Sequence, residues 1–182
     1  SALENYKKLF RSGISVVSGT TGWMAHYDEV VKMCKAQDSG FFHASNFSLG
    51  VNLFFALNKK LAALMGNFAE YRPEISEIHH IHKKDAPSGT AIELAKDLVG
   101  AHPLLKEWVK GETQAEDKLP VVSYREDEVP GIHHVQYSSE LDTIEIRHTA
   151  RTRDAFALGA VIAGEFMKGK KGVYAMEDML AL

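Results

Sequence analysis

The sequence lacks several features that would restrict its class. Cys34 is the only cysteine, so an intrachain disulfide is impossible and a reducing compartment is expected. No segment approaches the ~20 apolar residues that a membrane-spanning helix needs. The formal net charge is −3 and no basic stripe occurs, which argues against a nucleic-acid binder. We therefore expect a cytoplasmic globular protein whose partner is a small molecule or another protein, with no nucleic acid and no membrane involved.

The order of the predicted elements indicates an α/β fold. Helical spacing at residues 3–10 and around 30–34 alternates with short apolar strands at residues 14–18 and 41–44. This alternation is typical of a parallel sheet with crossover helices. The same interpretation places a final apolar helix at residues 156–167.

The middle of the chain has a different pattern. A long apolar helix is predicted at residues 49–65, a strand with period two from Glu74, and a helix at 91–99. Residues 100–120 look irregular. Three further strands are predicted at residues 121–125, 132–138 and 143–149, the last two as an antiparallel hairpin. We expect a mainly antiparallel or mixed sheet, one face of which helices or another subunit must cover.

The most informative segment joins the predicted strand from Glu74 to the 91–99 helix. It carries His79, His80 and His82, followed directly by Lys83 and Lys84. Three histidines in four positions beside two lysines are hard to explain as core packing. A solvated charge run remains the simplest alternative from composition alone.

The residues after the basic cluster favour an anion site. Pro87 ends the extended strand, Ser88 is a reasonable N-cap, and Gly89 allows a ligand to approach the backbone. The first amides of a helix have no intrahelical partner and attract anions by about 0.3–1 kcal/mol per carboxylate. Because hydrogen bonds to charged groups contribute about 1.5–3 kcal/mol each, lysine and histidine must supply most of the attraction. A dicarboxylate fits such a site better than a neutral ligand.

The spacing within the cluster sets one condition. In an ideal strand, His79 and Lys83 would lie about 13 Å apart. Both reach one small substrate only if the chain bends between them or if they serve different ends of it.

A metal site is the rival interpretation of the histidines. His80 and His82 share a strand face and could bind zinc with His133 or His134 as a third ligand, as in a zinc hydrolase. The adjacent lysines argue against this, since two cations beside a dication are unfavourable. The sequence therefore predicts that these histidines do not bind a metal ion.

Two strand ends in the first part of the chain carry small polar residues. Residues 19–22, Gly-Thr-Thr-Gly, follow the first strand and would be a plain turn if taken alone. Residues 44–47, Ala-Ser-Asn-Phe, follow the next strand. Open α/β sheets bind ligands at such strand ends, so the pair makes a cofactor edge more plausible.

The run from His79 to Ala91, HHIHKKDAPSGTA, closely resembles the signature of dihydrodipicolinate reductases. The segments GTTGW at 19–23, NFSLGVN at 46–52, Arg147-His148 and RDAFALGA at 153–160 are similar to that family in the same order. The resemblance covers essentially the whole chain. It implies hydride transfer from NADH or NADPH to a cyclic dihydropyridine dicarboxylate in lysine and diaminopimelate biosynthesis.

The resemblance also implies roles for individual residues. His79 is the implied catalytic acid/base and Lys83 the proton donor. The implied substrate-binding residues are His80, Ser88, Gly89 and Thr90. The implied cofactor-binding residues are Gly19, Thr20, Thr21, Ala44, Ser45, Asn46 and Phe47.

The family pattern includes a glycine-rich dinucleotide loop that this sequence does not contain. The resemblance therefore implies an N-terminally truncated chain, whose fragment would be inactive or bind cofactor weakly. Residues 1–46 and 151–182 would be the remnant of a Rossmann-like dinucleotide-binding domain. Residues 47–150 would form the substrate-binding and tetramerisation domain of a homotetramer. The alternative left open is a non-catalytic core that only binds substrate and oligomerises.

Overall fold

The computed structural model describes residues 1–182, which divide into two compact units. The first comprises residues 1–52 and 154–182, and the second comprises residues 53–153. In chain order the elements are α1 (Ala2–Arg11), β1 (Val16–Ser18), α2 (Tyr27–Ala36), β2 (Gly40–His43), α3 (Leu49–Met65), β3 (Arg72–His79), α4 (Gly89–Ala101), β4 (Glu107–Lys110), β5 (Lys118–Arg125), β6 (Ile132–Ser138), β7 (Thr143–Thr149), α5 (Asp154–Phe166), β8 (Gly172–Tyr174) and α6 (Met176–Leu180).

The first unit is built on a three-stranded sheet with the order β1-β2-β8. Both strand pairs are parallel, as the alternation of helices and strands predicts. Aromatic side chains dominate its packing: Tyr6 and Phe10 of α1 meet Trp23 and Phe41. Cys34 is fully buried in this cluster and behaves as a small core residue.

The second unit is built on a five-stranded mixed sheet with the order β4-β5-β3-β6-β7. Of its four strand pairs, two are parallel and two are antiparallel. β6 and β7 form the predicted antiparallel hairpin. The sheet is therefore mixed, since β3 runs parallel to β5 and antiparallel to β6.

One face of this sheet packs against α4. Along β3 the side chains alternate, so Ile75, Glu77 and His79 are buried while their neighbours are half-buried. α4 presents Ala91, Leu94, Ala95 and Leu98 at helical spacing, and all four side chains are buried. The core of the second unit lies between these two surfaces.

The α/β fold class predicted from the sequence is confirmed, with corrections to single elements. β4 lies in the region predicted to be irregular, and β8 and α6 follow the helix that was expected to end the fold. β4 and β8 are only 4 and 3 residues long, too short for an alternating pattern to stand out. Parallel and antiparallel strand pairs are equally frequent in the larger sheet, so of the two expected arrangements, mainly antiparallel or mixed, it has the mixed one.

Candidate active site

The register of the larger sheet places three polar side chains side by side. Glu77 of β3 is paired with Ser123 of β5 on one side and with His133 of β6 on the other. One residue pair further along β3, His79 is paired with Arg125. Because residues that pair across strands project from the same face, one polar cluster forms at the buried end of this sheet.

Glu77 is the centre of the cluster and is completely buried. Its carboxylate accepts hydrogen bonds from the backbone amide of Ser88 at 3.0 and 3.1 Å and from the Ser123 hydroxyl at 2.8 Å. The guanidinium of Arg125 lies 3.6 Å away. Burial opposes ionisation, but hydrogen bonds from His133, Ser88 and Ser123 outweigh it and lower the pKa of Glu77 to about 2. Glu77 is therefore a buried anion at neutral pH.

Ser88 links this carboxylate to the start of α4. Its hydroxyl accepts the amide of Ala91 at 3.2 Å, so it is the N-cap that the sequence predicts. The same hydroxyl lies 3.1 Å from Nε2 of His133. Helix geometry leaves the amides of Gly89 and Thr90 without intrahelical partners, next to a cap whose position Glu77 fixes.

His79 is held inside the cluster. Its imidazole is buried, packs against the ring of His133 at a centroid distance of 5.0 Å, and has Nδ1 3.5 Å from the Glu77 carboxylate. Burial lowers the pKa of His79 to about 4, and the positive charges of Lys83 and Arg125 add to this, while Glu77 opposes it. His79 is therefore neutral at pH 7 in the unliganded site.

The chain bends after His79, which meets the condition set by the spacing of His79 and Lys83. The amide of Lys83 donates to the carbonyl of His80 at 3.1 Å, closing a turn. The ammonium of Lys83 forms an ion pair with Asp85 at 2.8 Å. Arg125 fastens the loop by donating to the carbonyls of Asp85 at 2.6 Å and Lys83 at 3.3 Å. The cationic loop and the helix start are thus both attached to the Glu77 cluster.

The other two predicted histidines lie apart from this cluster. His82 is exposed and pairs with Glu128 at 3.1 Å. His80 is half-buried, and its Nδ1 is a buried atom without a hydrogen-bond partner. The structure therefore brings His79, Lys83, Ser88, Gly89 and Thr90 into one connected arrangement, and His80 stays a predicted ligand for substrate.

A metal ion could be held here by a different set from the one the sequence suggested. Glu77, His79 and His133 bring ligand atoms within 4.8 Å of one another, whereas His80 and His82 do not belong to that group. The oxygens of Glu77 already accept Ser88 and Ser123, and a guanidinium lies 3.6 Å away. Arg125 would repel a dication placed here. The Glu77 carboxylate is therefore better explained as a buried anion that holds the structure together than as a metal ligand.

The first unit contains a separate cavity of about 240 Å³ at the ends of β1 and β2. Five of the predicted cofactor residues line it: Thr20, Thr21, Ala44, Ser45 and Asn46. Hydroxyl and amide groups here match the donors and acceptors of a carboxamide, and Trp23 and His43, whose rings meet edge to face, also line the cavity. These residues fit a nicotinamide ring.

Gly19 and Phe47 lie beside this cavity without lining it. The Phe47 ring is buried and packs against Phe42. A Cβ on Gly19 would lie 3.3 Å from that ring, which explains the small residue there. Sequence reasoning also missed lining residues from the C-terminal segment, namely Ala175, Met176 and Glu177.

The comparisons with known proteins agree with this geometry. The family profile described as "Dihydrodipicolinate reductase, C-terminus" matches residues 50–180. The 4-hydroxy-tetrahydrodipicolinate reductase of Christiangramia forsetii is 49% identical over 181 residues, covering 100% of this chain and 75% of the relative. The chain belongs to the dihydrodipicolinate reductase family. The enzyme of the same name from Methanopyrus kandleri is 38% identical, with coverage of 99% of this chain and 67% of the relative.

The fold comparison points the same way. The dipicolinate-bound dihydrodipicolinate reductase of Paenisporosarcina sp. TG-14 has a TM-score of 0.73 and 23% identity, covering 96% of this chain and 67% of that one. This likeness shows the fold. The family match and the 49% identical relative confirm the reductase class and the oxidoreductase assignment made from the signature, and the family is one of nicotinamide-dependent reductases acting on a small molecule. No helix combines the length and apolar character needed to cross a bilayer.

Proposed function

We propose that the Glu77 cluster and the loop from Lys83 to Thr90 bind the cyclic dicarboxylate substrate of a 4-hydroxy-tetrahydrodipicolinate reductase. The relatives carry that name, and the solved neighbour holds dipicolinate, a pyridine ring with two carboxylates. The observation that carries the proposal is the attachment of the cationic loop and the α4 start to one buried cluster through Arg125 and Glu77.

Binding would proceed through fixed donors. One substrate carboxylate would take the free amides of Gly89 and Thr90, with the hydroxyl of Ser88 nearby, because a helix N-terminus favours an anion. The ammonium of Lys83 would exchange its exposed partner Asp85 for the second carboxylate or for the ring nitrogen. His80 would contact the ring or a carboxylate from the half-buried position that it occupies.

His79 and Lys83 would handle the proton. In the unliganded site the pKa of His79 is about 4, so its imidazole is a base. A bound dicarboxylate brings negative charge beside it and raises that pKa, so the ring can take up a proton and deliver it. Lys83 is the second proton source, and it follows His79 across the turn that its own amide closes on the His80 carbonyl.

The cofactor would supply a hydride, which carries two electrons to the unsaturated ring. The ring then needs one proton, which Lys83 or His79 delivers, and the product is the tetrahydro compound. Thr20, Thr21, Ala44, Ser45 and Asn46 would hold the nicotinamide in the cavity of the first unit, with Gly19 and Phe47 behind them. Either NADH or NADPH would serve. We assign the first unit to a dinucleotide-binding domain.

We also propose a cytoplasmic homotetramer assembled through the second unit. Its mixed sheet has one face packed against α4, and the opposite face carries the exposed side chain of Tyr124 next to the paired residues Ile78 and Ile132. A sheet face of this kind is suited to pairing with another copy of the chain. The mass in solution from light scattering tests this assembly.

The decisive experiment is calorimetric titration with dipicolinate of the wild-type chain and of two neighbouring lysine variants. Lys83→Ala removes the ammonium predicted to contact substrate, and we expect binding to weaken by about 10-fold to 150-fold. Lys84→Ala is the matched control, since Lys84 is exposed and has no predicted role. In an assay of NADH or NADPH oxidation, Lys83→Ala should lose most of the turnover.

Two outcomes would contradict the proposal. The first is equal affinity in the Lys83→Ala and Lys84→Ala variants, and the second is equal binding of picolinate, which has a single carboxylate. Titration with NADH and NADPH alone tests the first unit separately. Tight dipicolinate binding with no nicotinamide binding would instead favour a non-catalytic substrate-binding core.

A further inference from the structure

Glu77 is a charged group that the signature-based assignment of roles does not use. Its side chain is fully buried, and its oxygens contact three other segments: β5 through Ser123 and Arg125, β6 through His133, and the start of α4 through Ser88. Burying a carboxylate is costly unless it is hydrogen-bonded and paired. A carboxylate kept here at such cost is suited to a task that an apolar side chain could not perform.

We propose that Glu77 is a positioning residue of the reductase site, which fixes the carboxylate-binding amides through Ser88 and orients the imidazole of His79. This inference rests on the proposed function and assigns the part of that site that lies beneath the substrate.

Glu77 fixes the start of α4 through its contact with Ser88. Both carboxylate oxygens accept the Ser88 amide, at 3.0 and 3.1 Å, so the backbone just before Gly89 is clamped against the sheet. The Ser88 hydroxyl is then directed to its cap contact with Ala91 and to His133. The amides of Gly89 and Thr90 follow immediately, so their direction depends on this clamp.

Glu77 also lies next to the imidazole of His79 and can orient it. Nδ1 of His79 is buried, has no hydrogen-bond partner, and lies 3.5 Å from Oε2 of Glu77. A small rotation of the ring would let a proton on Nδ1 form a hydrogen bond with this carboxylate. Nε2 then remains the nitrogen that exchanges a proton with substrate.

The negative charge of Glu77 also makes His79 a better base. Glu77 raises the pKa of His79 against the larger effect of burial. Glu77 itself stays ionised, because its own hydrogen bonds hold its pKa at about 2. The carboxylate therefore stabilises the imidazolium that forms when His79 takes up a proton, without accepting that proton.

The test compares Glu77→Gln with Glu145→Gln, which makes the same change in another Glu–His pair of the same sheet. Glu145 contacts His134 at 2.9 Å and is mostly exposed. Two quantities are measured: the dissociation constant for dipicolinate across pH by calorimetry, and the titration of each imidazole by ¹⁵N NMR in the unliganded chain. Glu77→Gln should weaken dipicolinate binding about 10-fold or more and lower the pKa of His79, whereas Glu145→Gln should change neither.

A purely structural role predicts a different result. Glu77→Gln would then lower the unfolding free energy while the affinity for dipicolinate and the titration of His79 stay at wild-type values, which would overturn the proposal. If Glu77→Gln does not fold, the wild-type chain still tests the contact between Glu77 and His79, because the ¹⁵N shifts report which nitrogen of the His79 imidazole carries the proton. A proton on Nε2 of neutral His79 would show that Glu77 does not orient its imidazole.

The failure of this inference can be told apart from failure of the proposed function. The NMR titration uses no ligand, so it reports on Glu77 and His79 even if dipicolinate does not bind. If the wild-type chain fails to bind dipicolinate, the proposed function falls, whatever the state of His79. If it binds and the Glu77→Gln variant binds equally well, only the positioning role falls.

Discussion

Glu77 accepts the backbone amide of Ser88 with both of its carboxylate oxygens, at 3.0 and 3.1 Å, across eleven residues of sequence. This contact fixes the start of α4 relative to β3. It also leaves the hydroxyl of Ser88 free to cap the helix and to meet His133. The helix start is therefore held by two separate interactions of one residue, its amide and its side chain.

The side-chain interaction can be tested by Ser88→Ala. The variant loses the cap on Ala91 and leaves Nε2 of His133 without its closest partner, so we expect a loss of about 1–2 kcal/mol in unfolding free energy. Urea denaturation measures it. Ser1→Ala is the matched control, since Ser1 is the N-cap of α1 but makes no side-chain cap hydrogen bond. Equal stability of the two variants would show that the Ser88 cap contributes nothing.

Two buried titratable groups, His79 and Glu77, predict a loss of stability on acidification in two separate pH ranges. The pKa of His79 is about 4 in the fold against 6.5 when unfolded, so the unfolded chain binds the extra proton first and stability falls between about pH 6.5 and 4. The pKa of Glu77 is about 2 against 4.5, so its contribution is complete above about pH 4.5 and is lost as pH falls toward 2.

Denaturation by urea at a series of pH values measures this dependence. His43, His102 and His148 also have pKa values that burial lowers, so they contribute to the same range. A His79→Gln variant removes the His79 contribution and should make the curve less steep between pH 6.5 and 4. The lower range should remain in that variant. If the wild-type chain is equally stable at pH 6.5 and pH 4, His79 is not held neutral by burial.

The sequence predicts the strands and helices that carry the site, since their patterns are local. Alternation along β3 placed Ile75 and Glu77 on one face, and Ser88 was identified as the cap of α4 from its position before an apolar helical stretch. The bend between His79 and Lys83 was a condition set by their spacing and not a prediction, and the turn closed by the Lys83 amide and the His80 carbonyl meets it. These predictions needed only the chemistry of each residue and of its neighbours in the sequence.

The partners of Glu77 could not be predicted in the same way. Ser123 and Arg125 lie more than forty residues further along the chain, and they meet Glu77 and the Lys83 loop only through the parallel register of β3 and β5. A one-residue change of that register would turn them to the opposite face. The position of Glu177 at the cavity likewise depends on β8, whose three residues give no periodic signal.

Tyr137 and Tyr6 predict opposite effects of the same substitution. Tyr137 is fully buried, and its hydroxyl has no hydrogen-bond partner, so Tyr137→Phe should leave stability unchanged or raise it by up to ~1 kcal/mol. Tyr6 is also buried, but its hydroxyl pairs with Ser18 and Thr20, so Tyr6→Phe should cost about 1 kcal/mol. Thermal and urea denaturation of both variants measure the difference. A large loss in Tyr137→Phe would mean that its hydroxyl has a partner.

Two glycines of α5 make the packing of the first unit testable. A Cβ at Gly159 would overlap the carbonyl oxygen of Phe47, whereas one at Gly164 would meet nothing within 4 Å. Gly159→Ala must therefore push α5 away from the segment after β2, and we expect a loss of about 1–3 kcal/mol or more. Gly164→Ala places alanine in an open helical position and should stabilise the fold by about 0.5–1 kcal/mol.

The pair separates helix propensity from close packing, because both substitutions add the same methyl group to the same helix. Urea denaturation of the two variants gives the free energies. Since the Phe47 segment also carries residues of the predicted nicotinamide cavity, Gly159→Ala should weaken nicotinamide binding as well, while Gly164→Ala should not. If Gly159→Ala were as stable as Gly164→Ala, the approach of α5 to Phe47 would be looser than the structure shows, and the wall of the cavity would not depend on it.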